Sequence, residues 1–201
     1  MLNQNKYYIL YKPYGYLCQF TQETEKHLCL ADLNMEIPKN VFPVGRLDKD
    51  SEGLIILSND GRLNHRLLDP KYQHRRTYLV QVEGDITSDA IHQLEMGIEI
   101  KLKKRTYKTL PSKAKKIDTP DYIPTRNPPI RFRREIPTSW LELELKEGKN
   151  RQVRKMCAGT GFPVLRLIRK SIEALDGIDL APGQYQEMSL QNLEEKLGFK
   201  L

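Results

Sequence analysis

The stretch Trp140-Leu141-Glu142-Leu143-Glu144-Leu145-Lys146 alternates apolar and polar residues without a break. A period of two fits a β-strand and no helix. It predicts a strand with Leu141, Leu143 and Leu145 toward a core and Trp140, Glu142, Glu144 and Lys146 on the opposite face. Three further runs read as strands. Residues 7–11 are aromatic and β-branched and stop at Lys12-Pro13-Tyr14-Gly15. Residues 53–58 are continuously apolar, as in a strand buried on both faces. Residues 77–82 form the third. Helices fall between and after them. Asn59-Asp60-Gly61 supplies a turn and a cap for a helix near 61–68, and Thr87-Ser88-Asp89 opens another with Ala90, Ile91 and Leu94 at helical spacing before Gly97. A last helix over 189–197 is expected to pack through Leu190, Leu193 and Leu197.

The chain has 201 residues, enough for one large domain or two small lobes. No stretch approaches the roughly 20 apolar residues of a membrane helix, so a cytoplasmic protein with no membrane partner is expected. Cys18, Cys29 and Cys157 include no CxxC pair and predict reduced, structural thiols. His27, His65, His74 and His92 are scattered and lack the spacing of a helical metal pair, so no metal site is expected. The net charge of +7 is unevenly spread. Residues 101–170 carry 20 basic and 6 acidic side chains, a surplus suited to a polyanion but also found on plain solvated surfaces. Within it, residues 101–134 hold a cluster of five basic side chains between Lys101 and Lys108, then Pro120, Pro124, Pro128 and Pro129 without clear periodicity. This segment reads as an irregular basic insertion.

Two segments concentrate the chemistry. Gly45-Arg46-Leu47-Asp48-Lys49-Asp50-Ser51-Glu52-Gly53 is a charged loop leading straight into the buried strand. Asp48 lies two residues from both Arg46 and Asp50, so its ionised form is favoured or disfavoured according to geometry, and a solvated turn fits the same spacing. In the second segment, Glu147 to Cys157, Asn150 reads as a helix N-cap and Gly161 as the stop. Arg151, Arg154, Lys155 and Ala158 then share one side of the helix, while Val153, Met156, Cys157 and Thr160 share the other. The cationic face suits a phosphate or a carboxylate.

Gly45-Arg46-Leu47-Asp48 with Ser51-Glu52-Gly53-Leu54, and Gly148-Lys149-Asn150-Arg151-Gln152-Val153-Arg154-Lys155-Met156, resemble the signature motifs of the RsuA branch of the pseudouridine synthases. The likeness extends to Lys12-Pro13-x-Gly15, to Tyr78-Leu79-Val80 and to Gly161-Phe162-Pro163-Val164-x-Arg166-Leu167-x-Arg169. It implies an α+β pseudouridine synthase fold, with a central mixed, largely antiparallel sheet flanked by helices and an RNA cleft between two lobes of one catalytic domain. It also implies isomerisation of a uridine in RNA, with neither metal nor cofactor.

By the same matching, Asp48 is the essential carboxylate, acting as nucleophile or base; Arg154 pairs with it, and Tyr78 stacks on the target base. Arg46 helps to extrude the uridine, and Leu167 lines the pocket beneath the base. Lys149, where many relatives have arginine, joins Arg151 and Lys155 as a substrate-binding residue. The first strand begins near residue 7, so the small RNA-binding module that precedes many catalytic domains of this branch is expected to be absent. That feature, with Asn127-Pro128-Pro129-Ile130-Arg131 and Ile136-Pro137-Thr138-Ser139-Trp140, most resembles the subgroup acting on large-subunit ribosomal RNA. The expected partner is therefore that RNA, free or before assembly, bound by a monomer. Lys103, Lys104 and Arg105 of the basic insertion are expected to grip phosphates in place of the module. A synthase for small-subunit or transfer RNA, and a non-catalytic RNA-binding assembly protein that has no need of Asp48, are the alternatives.

Overall fold

A computed structural model describes residues 4–22, 24, 27–103, 105–130 and 134–201. The chain forms two compact units, one from residues 1–74 and 169–201, the other from residues 75–168. Each joins antiparallel strands to helices, and the fold is α+β.

In the first unit, β1 (Tyr7–Lys12), β2 (Phe42–Val44), β3 (Glu52–Ser58) and β11 (Tyr185–Met188) form the sheet. β1 pairs with β11 on one side and with β3 on the other, with Lys12 opposite Gly53. β2 pairs with β3, with Val44 opposite Ile56. All seven residues of β3 are buried, as its unbroken apolar run requires. One core of this unit gathers Tyr8, Leu10, Leu30, Val41, Ile55 and Leu57. Helix α1 (Gly61–Leu68) starts where expected, its N-cap Asp60 accepting a hydrogen bond from the Arg62 backbone N–H.

The second unit contains β4 (Arg76–Glu83), α2 (Ser88–Met96), β5 (Glu99–Leu102), β6 (Arg105–Lys108), β7 (Lys113–Ile117), β8 (Thr138–Leu145) and α3 (Gln152–Gly159). β8 pairs with β4 on one side and β7 on the other, while β5 and β6 form a separate hairpin. The core holds Val80, Val82, Leu94, Leu141, Leu143, Leu145, Val153 and Met156. Strand β9 (Val164–Ile172) begins in this unit and ends in the first, where β10 (Leu175–Asp176) pairs with it. Helix α4 (Leu190–Leu197) closes the first unit, capped by Ser189.

Four expectations are corrected. The basic segment is not irregular throughout: residues 99–102, 105–108 and 113–117 are strands, because Ile100, Leu102, Tyr107 and Ala114 alternate with the basic residues and turn toward the core. Trp140 is 5% exposed rather than turned outward, since β7 places Ile117 opposite it. Asn150 is not the cap of α3; Arg151 occupies that position in a left-handed conformation. Leu190 stays exposed, and α4 buries only Leu193 and Leu197.

Candidate active site

Asp48 lies in the loop that joins β2 to β3, and local bonds hold that loop. The Ser51 N–H donates to the Asp48 carbonyl at 3.0 Å, closing a tight turn. The next carbonyl, of Lys49, accepts from the Gly15 N–H at 2.9 Å. Leu47, Ser51 and Glu52 are buried around the turn, so the backbone that carries Asp48 is anchored while its side chain remains half-buried. Arg46 is exposed, with Nη2 3.4 Å from the Gln19 Oε1. The Cys18 thiol lies 3.9 Å from the Gly45 carbonyl.

Lys12 is a residue whose place in the site the sequence did not reveal. It is fully buried, and its ammonium donates to the carbonyls of Pro13 and Tyr16, both at 2.8 Å, with the Lys49 carbonyl at 3.5 Å. Burial pushes its pKa down to about 8, opposed by the neighbouring charges of Cys18, Glu52, Asp50 and Asp48. A cation is thus set beneath the carboxylate loop. Its only sequence signal was the Lys12-Pro13-x-Gly15 turn.

The remaining candidates belong to the second unit or to its end of β9. Tyr78 stands on β4 opposite Leu143 of β8, half-buried against the core of that unit. Leu167, on β9, is 6% exposed in the same core. Arg154 and Lys155 lie half-buried on α3, and Arg151 is exposed at its start. Val153, Met156 and Cys157 face the core, so the two sides of the helix separate as predicted. The buried Cys157 thiol is pushed up to about 12 by desolvation, which removes it as a nucleophile near neutral pH. Lys149 places its ammonium 5.0 Å from the centroid of the Tyr107 ring. Lys103 and Arg105 are exposed on the β5–β6 hairpin, and Lys104 lies outside the described residues.

All three cysteines are free and buried. Among the described residues, no group of three His, Cys, Asp or Glu is arranged to hold a metal ion, and no helix is long and apolar enough to cross a membrane.

Residues 6–159 match the family model described as RNA pseudouridylate synthase, and the chain belongs to that family. A protein of Vibrio parahaemolyticus named ribosomal large subunit pseudouridine synthase E is 46% identical over 190 residues, covering 94% of this chain and 76% of that one. One of the same name from Xanthomonas campestris is 41% identical over 179 residues, covering 89% and 92%. A crystal structure described as a pseudouridylate synthase aligns with a TM-score of 0.76 at 26% identity, covering 96% of this chain and 74% of that one. The chain is a pseudouridine synthase of the RsuA branch.

Proposed function

We propose that the protein converts one uridine of large-subunit ribosomal RNA to pseudouridine, with Asp48 as the reacting carboxylate. The observation that supports this reading is the anchored turn at Asp48, which fixes the backbone that carries the half-buried carboxylate. The bond between N1 and C1′ breaks, the base turns, and C1′ joins C5; N1 gains a proton and C5 loses one. The product is an isomer, so atoms and electrons balance without a co-reactant. An ionised carboxylate serves either as a nucleophile toward the ribose or as a base toward a sugar proton. Tyr78 offers a ring to the extruded base, Arg154 a guanidinium to the carboxylate, and Arg46 a charge at the opened stack. Leu167 is the apolar floor under the base. Flipping the nucleotide costs least in a loop or a locally melted segment, which makes structured RNA with an exposed uridine the fitting substrate.

Large-subunit RNA is favoured over small-subunit or transfer RNA by the names and the 41–46% identities of the two relatives. Lys149, Arg151, Lys155 and the exposed Lys101, Lys103 and Arg105 of the hairpin supply cations for phosphates. Ribosomal RNA as substrate fits a cytoplasmic protein.

The test is pseudouridine mapping, by chemical derivatisation and primer extension, on unmodified large-subunit, small-subunit and transfer RNA. A single large-subunit site with wild type, and none with Asp48→Asn at similar RNA affinity, is the expected result. Modification of another RNA class would overturn the substrate. Binding without modification of any of the three would favour an assembly protein.

A further inference from the structure

Glu147 follows β8 by two residues, is 8% exposed, and uses both carboxylate oxygens. Oε1 accepts from the Leu110 backbone N–H at 2.9 Å and from Gln152 Nε2 at 2.7 Å, while Oε2 accepts from the Tyr107 hydroxyl at 2.6 Å. All three donors are neutral. A buried carboxylate is costly to hold without a cation, so a site that needed only packing would favour an apolar side chain. Here the three bonds join different pieces of the second unit. Tyr107 belongs to the β5–β6 hairpin, Leu110 to the strand connection after it, and Gln152 to the first turn of α3.

Gln152, 4% exposed, extends the link: its Oε1 accepts the Lys149 backbone N–H at 2.8 Å, so the loop from Glu147 to Gln152 is closed on itself. Within that loop Arg151 takes the left-handed conformation, with φ 53 and ψ 35, and has no side-chain cap bond. Such a conformation is disfavoured for a residue with a Cβ and persists only when its surroundings enforce it. Glu147 and Gln152 brace the loop on both sides of Arg151. Gln152 is the first residue of α3, and Arg154 stands two residues beyond it.

We propose that Glu147 is a positioning residue for the reaction: by tethering the entry of α3 to the basic hairpin, it fixes the left-handed Arg151 and, through the helix, the guanidinium of Arg154. This rests on the role proposed for Arg154. The Tyr107 hydroxyl is held above its ordinary pKa, chiefly by its bond to Glu147.

The test is a double-mutant cycle on kcat, with RNA affinity and thermal unfolding measured on the same preparations, using Glu147→Met and Arg154→Lys. Misplacing a positioned group costs between about tenfold and a hundredfold in rate. Read at saturating RNA, so that any loosening of the hairpin's phosphate grip appears in affinity alone, kcat of Glu147→Met is expected to fall by that factor, with no further loss in the Arg154→Lys background. Glu147→Gln, which keeps the acceptor oxygen and meets a reversed Tyr107 hydroxyl, is expected to restore most of the rate. Should Glu147→Met fail to fold, Tyr107→Phe takes its place in the cycle. Losses that multiply, or a Glu147→Met enzyme as fast as wild type, would overturn the proposal. If Arg154→Lys alone leaves kcat unchanged, the role of Arg154 fails first, and the proposal with it.

Discussion

Asp60 shows how much one residue can settle. Its carboxylate is 4% exposed and accepts from the Arg62 backbone N–H, the Arg62 guanidinium, the Tyr7 hydroxyl at 2.7 Å and Asn5 Nδ2 at 2.9 Å. The Arg62 bonds are the main reason its pKa falls from 3.8 to about 2. A carboxylate depressed in this way stabilises the fold above its ordinary pKa, and that contribution is lost as pH falls from about 4 through 2. Asp60→Ala removes a helix cap and orphans the buried Tyr7 hydroxyl, so a loss of about 2 kcal/mol is expected in urea unfolding at neutral pH. The gap between variant and wild type should narrow across the same acid range. The sequence marked Asp60 as a cap through Asn59-Asp60-Gly61. It gave no sign of Tyr7, which lies 53 residues away.

Among the elements, β3 was plain in the sequence because a run of buried apolar residues has few other uses. The reason for its glycine was not. Gly53 has φ +99, and a Cβ there would stand 2.3 Å from the Arg169 carbonyl oxygen. Backbone cannot retreat as a flexible side chain can, and an alanine at this φ is strained in any case. Gly53→Ala is expected to cost at least about 2 kcal/mol in urea unfolding, with activity falling through displacement of the adjoining Asp48 loop. Helix α3 was equally visible by its period, yet its start was misplaced by one residue. Asn150 has the better cap chemistry, but the buried bonds of Glu147 and Gln152 override that local preference.

At the scale of the whole molecule, the basic surplus divides into two kinds of charge. On β7, Lys113 pairs with Glu144 at 3.4 Å, Lys115 with Glu142 at 3.0 Å, and Lys116 with Asp85. Lys101, Lys103 and Arg105 on the hairpin are exposed. The proposed RNA grip therefore assigns phosphates to the hairpin and not to β7. Lys103→Ala with Arg105→Ala should reduce the salt dependence of RNA binding by about 1.4 to 1.8 in log–log slope, whereas Lys113→Ala with Lys115→Ala should leave it nearly unchanged; filter binding across a salt series measures both. Counting charges could not make this division, because Glu142 and Glu144 become partners of the lysines only when β7 lies beside β8. The sequence by itself determined the α+β class, most strands and helices, the Asp48 loop and the two-sided α3, since each follows from local period, turn chemistry or a contiguous motif. Only the tertiary structure decided the buried Lys12, the Glu147 link and the pairing of the β7 lysines with Glu142 and Glu144. Those depend on which distant groups meet away from water, where an unpaired polar atom is costly and its partner is chosen by the fold.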